Sequence, residues 1–402
     1  MGKHVIILFL LVSLLSCNEK QEPLTTPWGT TIGDTVEIRD NYSLYDIVSN
    51  GEMIMLTLSG PDTYYEYRGR GMGTQYLLCE KFAQHLGISL RVELCRDTME
   101  MVSRLEQGEG DIIVLGSKAS YSLSDGKGKE ICFLLPPQKR KQKEVLEDFW
   151  TVRADNRELA DSINKWYRPV YLAQVKQEQN YAFSSRSMRR RVYSPLLSRS
   201  KGVISNYDHL FKQYAPVAQT DWRMLAALSY QESCFDPNAR SWAGACGLMQ
   251  IMPATATRLG LPVSQIFDPE ANIAASARYI SQLGALFNDV NHPYERMKFI
   301  LASYNGGYGH VRDAMALARK DGRDARRWDE VSQYILHLSE PQYYRDPAVK
   351  NGYMRGTETY NYVRLVTQRY NQYCGVVGGS PSFGSFSGSF TPRKAARKHR
   401  FK

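Results

Sequence analysis

Glu232 is the residue best placed to do chemistry. It lies in Leu228-Ser-Tyr-Gln-Glu-Ser-Cys-Phe-Asp-Pro237, and Gly247-Leu-Met-Gln-Ile-Met-Pro253 follows shortly after. Residues 221–233 read as a helix, because Trp222, Met224, Leu225, Ala226, Ala227 and Leu228 are helix formers or core residues. Leu225 and Leu228 precede Glu232 by seven and four positions, so the three share one face. That face is apolar, and a carboxyl packed on it loses water. Desolvation penalises the charged form and raises the pKa. An acid tuned upward keeps its proton near neutral pH and can hand it to a leaving oxygen. A lone Glu on the wet edge of a helix end is the ordinary case; here the Gly turn and Met-Gln edge that follow single Glu232 out. No second carboxylate stands where a partner would be needed. Asp236 and Asp268 each sit in an Asp-Pro step and read as turn or cap residues, and Glu358 reads as a hydrogen-bond anchor on a late helix.

Four segments occur in order: Glu232-Ser233, Gly247-Leu-Met-Gln250, Ala302-Ser-Tyr-Asn-Gly306 and Glu358-Thr-Tyr-Asn-Tyr-Val363. Together they resemble the motif set of the soluble-lytic-transglycosylase type of lysozyme-like domain, glycoside hydrolase family 23, over roughly residues 203–375. The resemblance implies a role for each matching position. Glu232 would be the sole acid, then base. Ser233 would polarise the substrate N-acetyl group or orient the Glu. Gly247, Leu248, Met249 and Gln250 would form one wall of a sugar groove, with Leu248 in the core and Met249 and Gln250 facing substrate. Tyr304 and Asn305 would flank the acid from the opposite side, and Tyr362 would reach Glu232 or the sugar through its hydroxyl.

The resemblance also implies a substrate, the glycan strands of peptidoglycan, and a reaction. Glycosidases ordinarily use two carboxylates; with one, the sugar must supply the nucleophile. Glu232 would protonate the β-1,4 oxygen and then take the proton of the muramyl 6-hydroxyl, closing a 1,6-anhydro ring. A goose-type lysozyme, in which water attacks, is the near alternative. A catalytically silent peptidoglycan-binding or solute-sensing lipoprotein is the second class, which the intact acid and groove motifs argue against. An accessory to cell-wall protein complexes would share the chemistry and differ in partners.

The elements that must carry these residues divide into two halves. Within residues 50–180, residues 53–58, 88–94 and 110–115 read as strands, and 74–86 and 99–107 as helices. This β-α-β-α-β rhythm predicts a parallel sheet. Gly87-Ile-Ser-Leu-Arg-Val92 and Gln107-Gly-Glu-Gly-Asp-Ile-Ile113 resemble the type-3 periplasmic solute-binding fold. Only some thirty residues separate Gly116 from Phe149-Trp-Thr-Val-Arg153, which reads as the return strand, where that fold expects a whole second lobe. No Arg follows Gly116-Ser117 to clamp a carboxylate. A one-lobed remnant serving docking or regulation is expected. The fold class is thus a one-lobed α/β solute-binding-like domain followed by a mainly α lysozyme-like domain over 203–375. Residues 181–202 are expected to be a basic linker, with the arginines of 186–191 solvated, and residues 18–49 a linker.

Residues 1–17 read as a lipoprotein signal peptide. Lys3 and His4 precede the apolar run 5–15, and Leu14-Leu15-Ser16-Cys17 resembles a bacterial lipobox. The resemblance implies lipidation of Cys17 and a membrane anchor, with an ordinary secretory signal as the alternative. Asn18 is not the retention Asp, which favours the periplasmic face of the outer membrane. Six further cysteines in an oxidising compartment allow three disulfides. A local Cys234–Cys246 bridge would brace the loop carrying Gly247 to Gln250; buried free thiols are the alternative. The seven His are scattered and no Cys-x-x-Cys pair occurs, so neither metal nor cofactor is expected. Residues 376–402 read as a disordered basic tail. The net charge is +10. Its last ten residues hold six Lys or Arg, so the rest of the chain carries about +4. Without zinc-finger spacing or a basic-aromatic stretch, nucleic acid is not an expected partner.

Overall fold

The computed structural model describes residues 24–25, 31–32, 43–115, 132–134, 150–153, 155–378 and 383. In the unit spanning residues 1–42, the strands Leu24–Thr25 and Thr31–Ile32 pair antiparallel. Residues from Ser43 onward form a second compact unit, which holds everything below.

Its first part is α/β. Glu52–Thr57 lies between Ser89–Leu94 and Ile112–Val114 and is parallel to both, with Met53 opposite Leu90 and Met55 opposite Ile112. Trp150–Val152 returns antiparallel to Ile112–Val114, and Cys132–Leu134 adds the far edge. The helix Thr74–Leu86 crosses over one face and buries Leu77, Leu78, Phe82 and Ala83 against Met53, Met55 and Val152. On the other face Thr98–Glu106, capped by Asp97, packs Met101 and Leu105 on Leu56 and Ile113. The parallel core is the one the apolar rhythm anticipates. Two features differ. A capped helix, Leu44–Asn50, lies within the stretch read as linker. A hairpin of two short strands, Tyr65–Tyr67 and Arg70–Met72, leaves the sheet; three-residue strands give no readable period.

The second part is helical. Asp208–Ala218, Trp222–Ser233, Pro269–Leu286, Pro293–Gly306, Tyr308–Lys320, Trp328–His337 and Gly356–Val376 share one core, centred on Leu225, Leu228, Leu248, Ile300 and Val363. Asp221 caps the Trp222 helix and pairs with Arg223 at 2.6 Å, both 2% exposed. Arg223 Nη1 also donates to Val377 O, tying the end of the last helix to the start of this one.

The segment read as a basic linker belongs to the fold. Met188–Arg189 pairs with Arg240–Ser241, Arg191 N donates to Asp236 Oδ2 at 2.7 Å, and Arg190 Nη1 donates to the carbonyl of Glu232 at 3.0 Å. Its arginines are exposed as expected, but Arg190 braces the helix end that carries the acid. The Cys234–Cys246 bridge is not formed: both are buried free thiols, as are Cys79 and Cys95, and Cys374 is free. Backbone bonds between Cys246 and Ile251, and from Gly247 N to Ala239 O, hold that loop instead. No helix of the described residues is long and apolar enough to cross a membrane. Cys17 and most of the 376–402 tail lie outside the described residues.

Candidate active site

Glu232 sits in the last turn of Trp222–Ser233, a helix that packs Met224, Leu225 and Leu228 into the core. The helix stops at once: Cys234 and Phe235 are both left-handed, at φ 52° and 63°. Glu232 is half-buried. Burial pushes its carboxyl up to about 7. The Tyr362 hydroxyl, which donates to Oε1 at 2.5 Å, and the positive charges of Arg68 and Arg190 pull the other way; the charge of Glu358 adds to the rise. Desolvation wins, and the group keeps its proton through mildly acidic pH.

A tight turn faces the end of this helix. Gly247 is left-handed at φ 80°, and a Cβ there would lie 2.5 Å from Asn272 Nδ2 and 2.8 Å from Ile266 O, so only glycine fits. Asn272 holds the turn by donating to Cys246 O and Ile266 O and accepting from Met249 N. Ser233 Oγ donates to Leu248 O at 2.8 Å, and Tyr304 OH donates to Met249 O at 2.7 Å. The helix end, the turn and the Pro293–Gly306 helix are therefore locked to one another through the carbonyls of Leu248 and Met249.

These contacts border a cavity of about 610 Å³. Glu232, Gln250, Tyr304 and Asn305 line it. Gln250, 8% exposed, donates through Nε2 to Ala239 O and Gly247 O, while its Oε1 has no partner. Asn305 Oδ1 accepts from Thr359 Oγ1 at 2.8 Å. Tyr362 is buried behind the acid and reaches it. The other positions fall elsewhere. Leu248 and Met249 are fully buried in the core, and Ser233 is buried with its hydroxyl committed to backbone carbonyls. Neither Ser233 nor Met249 borders the cavity, and the expectation that Met249 faces substrate gives way to a packing role. Asp236 accepts from Arg191 N and Asn238 N, and Asp268 from Ala271 N, both the structural duties their Asp-Pro settings imply.

Several lining residues have no motif to announce them. Ser59, Tyr64, Tyr65, Glu66 and Arg68 come from the α/β part. The Arg-Gly step at 68–69 signals a turn, but nothing local reveals that its partner, Glu358, lies 290 residues away. Among the described residues no cluster of His, Cys, Asp or Glu could hold a metal.

The site is thus a cavity with one proton-retaining glutamate, locked by helix and turn in a mainly helical domain. Residues 209–326 match the family model for the transglycosylase SLT domain. Membrane-bound lytic murein transglycosylase F of Desulfosudis oleivorans is 27% identical over 423 residues, covering 83% of this chain and 92% of that protein. The protein of the same name from Aeromonas hydrophila is 39% identical over 174 residues, covering 43% of this chain and 34% of its own length. Among solved structures, the 70 kDa soluble lytic transglycosylase of Escherichia coli aligns at 24% identity with a TM-score of 0.32, over 46% of this chain and 26% of that one.

Proposed function

We propose that this chain is a peptidoglycan lytic transglycosylase, cleaving the β-1,4 bond between N-acetylmuramic acid and N-acetylglucosamine. The observation that carries the reading is Glu232, an acid held up to about 7 inside the groove. Glu232 gives its proton to the glycosidic oxygen as the C–O bond breaks. The muramyl 6-hydroxyl then attacks the anomeric carbon and returns its proton to the Glu232 carboxylate, leaving a 1,6-anhydro end and an acid ready for the next cycle. No water is consumed. The other carboxylate lining the groove, Glu66, is exposed and is not among the groups that act most on Glu232. That arrangement supports the substrate's own hydroxyl as the nucleophile.

The remaining residues support that acid. Tyr362 holds its Oε1, while Ser233 and Gly247 to Met249 fix the helix end against the turn. Gln250, Tyr304 and Asn305 present polar groups to the sugar. We further propose anchoring through Cys17 on the periplasmic face of the outer membrane, with peptidoglycan strands as the partner; the lipobox-like Leu-Leu-Ser-Cys17 and relatives named membrane-bound support this.

Mass spectrometry of purified peptidoglycan after digestion tests activity and mechanism together, because the anhydro product is lighter than the hydrolysed one by one water. Glu232→Gln should release about 10²–10⁴-fold less product. A hydrated product, or full activity in Glu232→Gln, would refute the reading.

A further inference from the structure

The groove that holds Glu232 is walled by two folds. One wall is helical; the other is the tip of the Tyr65–Tyr67/Arg70–Met72 hairpin with Ser59 and Tyr64. The tip is a two-residue turn, Arg68-Gly69, with both residues left-handed at φ 51° and 73°. Type I′ turns require this backbone, and a long side chain held in it persists only where its surroundings fix it. They do so here. Arg68 donates from Nη2 and Nε to Glu358 Oε1 at 2.5 and 3.1 Å. A Cβ on Gly69 would lie 3.5 Å from Met252 Cε, itself part of the groove lining. Glu358 precedes Tyr362 by one turn of the Gly356–Val376 helix, so both project from one face. Tyr362 bonds the acid and Glu358 bonds Arg68. The guanidinium and the Glu232 carboxyl thus line the same cavity, each held by a residue of one helix face.

Open α/β sheets usually offer the carboxyl ends of their strands to a ligand. Here the residues just past Glu52–Thr57 meet the helical half: Ser59 Oγ accepts from Tyr353 N at 2.8 Å. The α/β part is built into the groove.

We propose that Arg68, contributed by the α/β part, is a positioning residue of the active site that acts on Glu232. The proposal rests on the reading of Glu232 as acid, then base. After the first proton transfer Glu232 is an anion stripped of much of its water. A fixed guanidinium across the groove stabilises that anion until the 6-hydroxyl proton arrives. Glu358 holds the guanidinium in place and tempers its charge. The other charged or titratable groups facing the carboxyl are Arg190, whose Nη1 is bonded to the Glu232 carbonyl, and the hydroxyls of Tyr304 and Tyr362. A merely structural Arg68–Glu358 pair, with side chains 36% and 26% exposed, would contribute little and would leave the acid's titration unchanged.

The test is the pH profile of kcat for anhydro-product release by the full chain, comparing wild type, Arg68→Gln, Arg68→Lys and Glu358→Gln, with thermal melts to confirm folding. Arg68→Gln should lose about tenfold in plateau kcat and move the alkaline limb up by about one pH unit, with KM little changed. Arg68→Lys should keep the limb near its wild-type place, and Glu358→Gln should move it down. An unmoved limb in Arg68→Gln overturns the proposal. So does a gain of activity, which would make the turn an obstruction, and so does Arg68→Lys behaving like Arg68→Gln. If wild type yields no anhydro product at all, the functional reading fails first, and that failure is separate from these.

Discussion

At the scale of the residue, the chemistry comes down to what burial does to one carboxyl. Glu232 has its acid pushed up to about 7, chiefly by loss of water. The first step needs the protonated form, so turnover should fall as pH rises through about 7. The same shift is a statement about stability. A group whose folded pKa is raised favours the fold while it is protonated; that contribution is complete below the unfolded value near 4.5 and is lost as pH rises through about 7. Glu232→Gln removes a penalty that exists only at the higher pH. Urea titrations should find the variant more stable than wild type by about 1–3 kcal/mol at pH 8, and equal to it near pH 4. Equal stability at both pH values would mean the carboxyl is solvated. Glu232 is legible in the sequence because its burial follows from Leu225 and Leu228 on the same helical face. Ser233 shows the limit: its spacing places it beside the acid but says nothing of where the hydroxyl turns, and the carbonyls of Ser229 and Leu248 claim it.

At the scale of the element, the turn at Gly247 decides whether the groove has an edge. Its φ of 80° and the 2.5 Å approach of Asn272 Nδ2 leave no room for a side chain. Gly247→Ala would have to break the three hydrogen bonds through which Asn272 holds the loop. The expected cost is about 2–4 kcal/mol of unfolding free energy, with activity lost together with the position of Gln250. Chemical denaturation measures the first and product release the second; a loss below about 0.5 kcal/mol would show that the turn relaxes easily. Ile112–Val114 was legible because it is buried on both faces and so apolar throughout, and the edge strand Ser89–Leu94 because it alternates. The strand Cys132–Leu134 was not. It lies in a polar, turn-rich stretch and joins the sheet only through antiparallel pairing with Trp150–Val152, a long-range match with no local period.

At the scale of the whole molecule, two folds share one cavity, and the joint between them is aromatic and tight. Tyr353 stacks edge-on with Tyr65 and Tyr344, Arg355 lies 3.6 Å over the Phe183 ring, and Ser59 bonds Tyr353 N. The order of the two parts could be read from the chain. Their joint could not, since contacts between residues near 60 and near 350 leave no mark on either segment. Gly352 reports on it. Its φ is 73°, and a Cβ would fall 2.2 Å from Ser59 Oγ, so Gly352→Ala should displace Ser59 and open the seam. Gly322 is the control, with φ 71° and nothing within 4 Å of an added Cβ. Both substitutions carry the left-handed backbone penalty of about 1–2 kcal/mol. Gly352→Ala should cost about 1–3 kcal/mol beyond that, because it loses the part-buried Ser59–Tyr353 hydrogen bond as well. It should also split a single thermal transition into two, expose the 350–355 loop to protease, and lower turnover by withdrawing Arg68 from the groove. If both variants melt alike, in one transition, the seam contributes nothing to the fold of either half, and the α/β part reaches the active site without being held there.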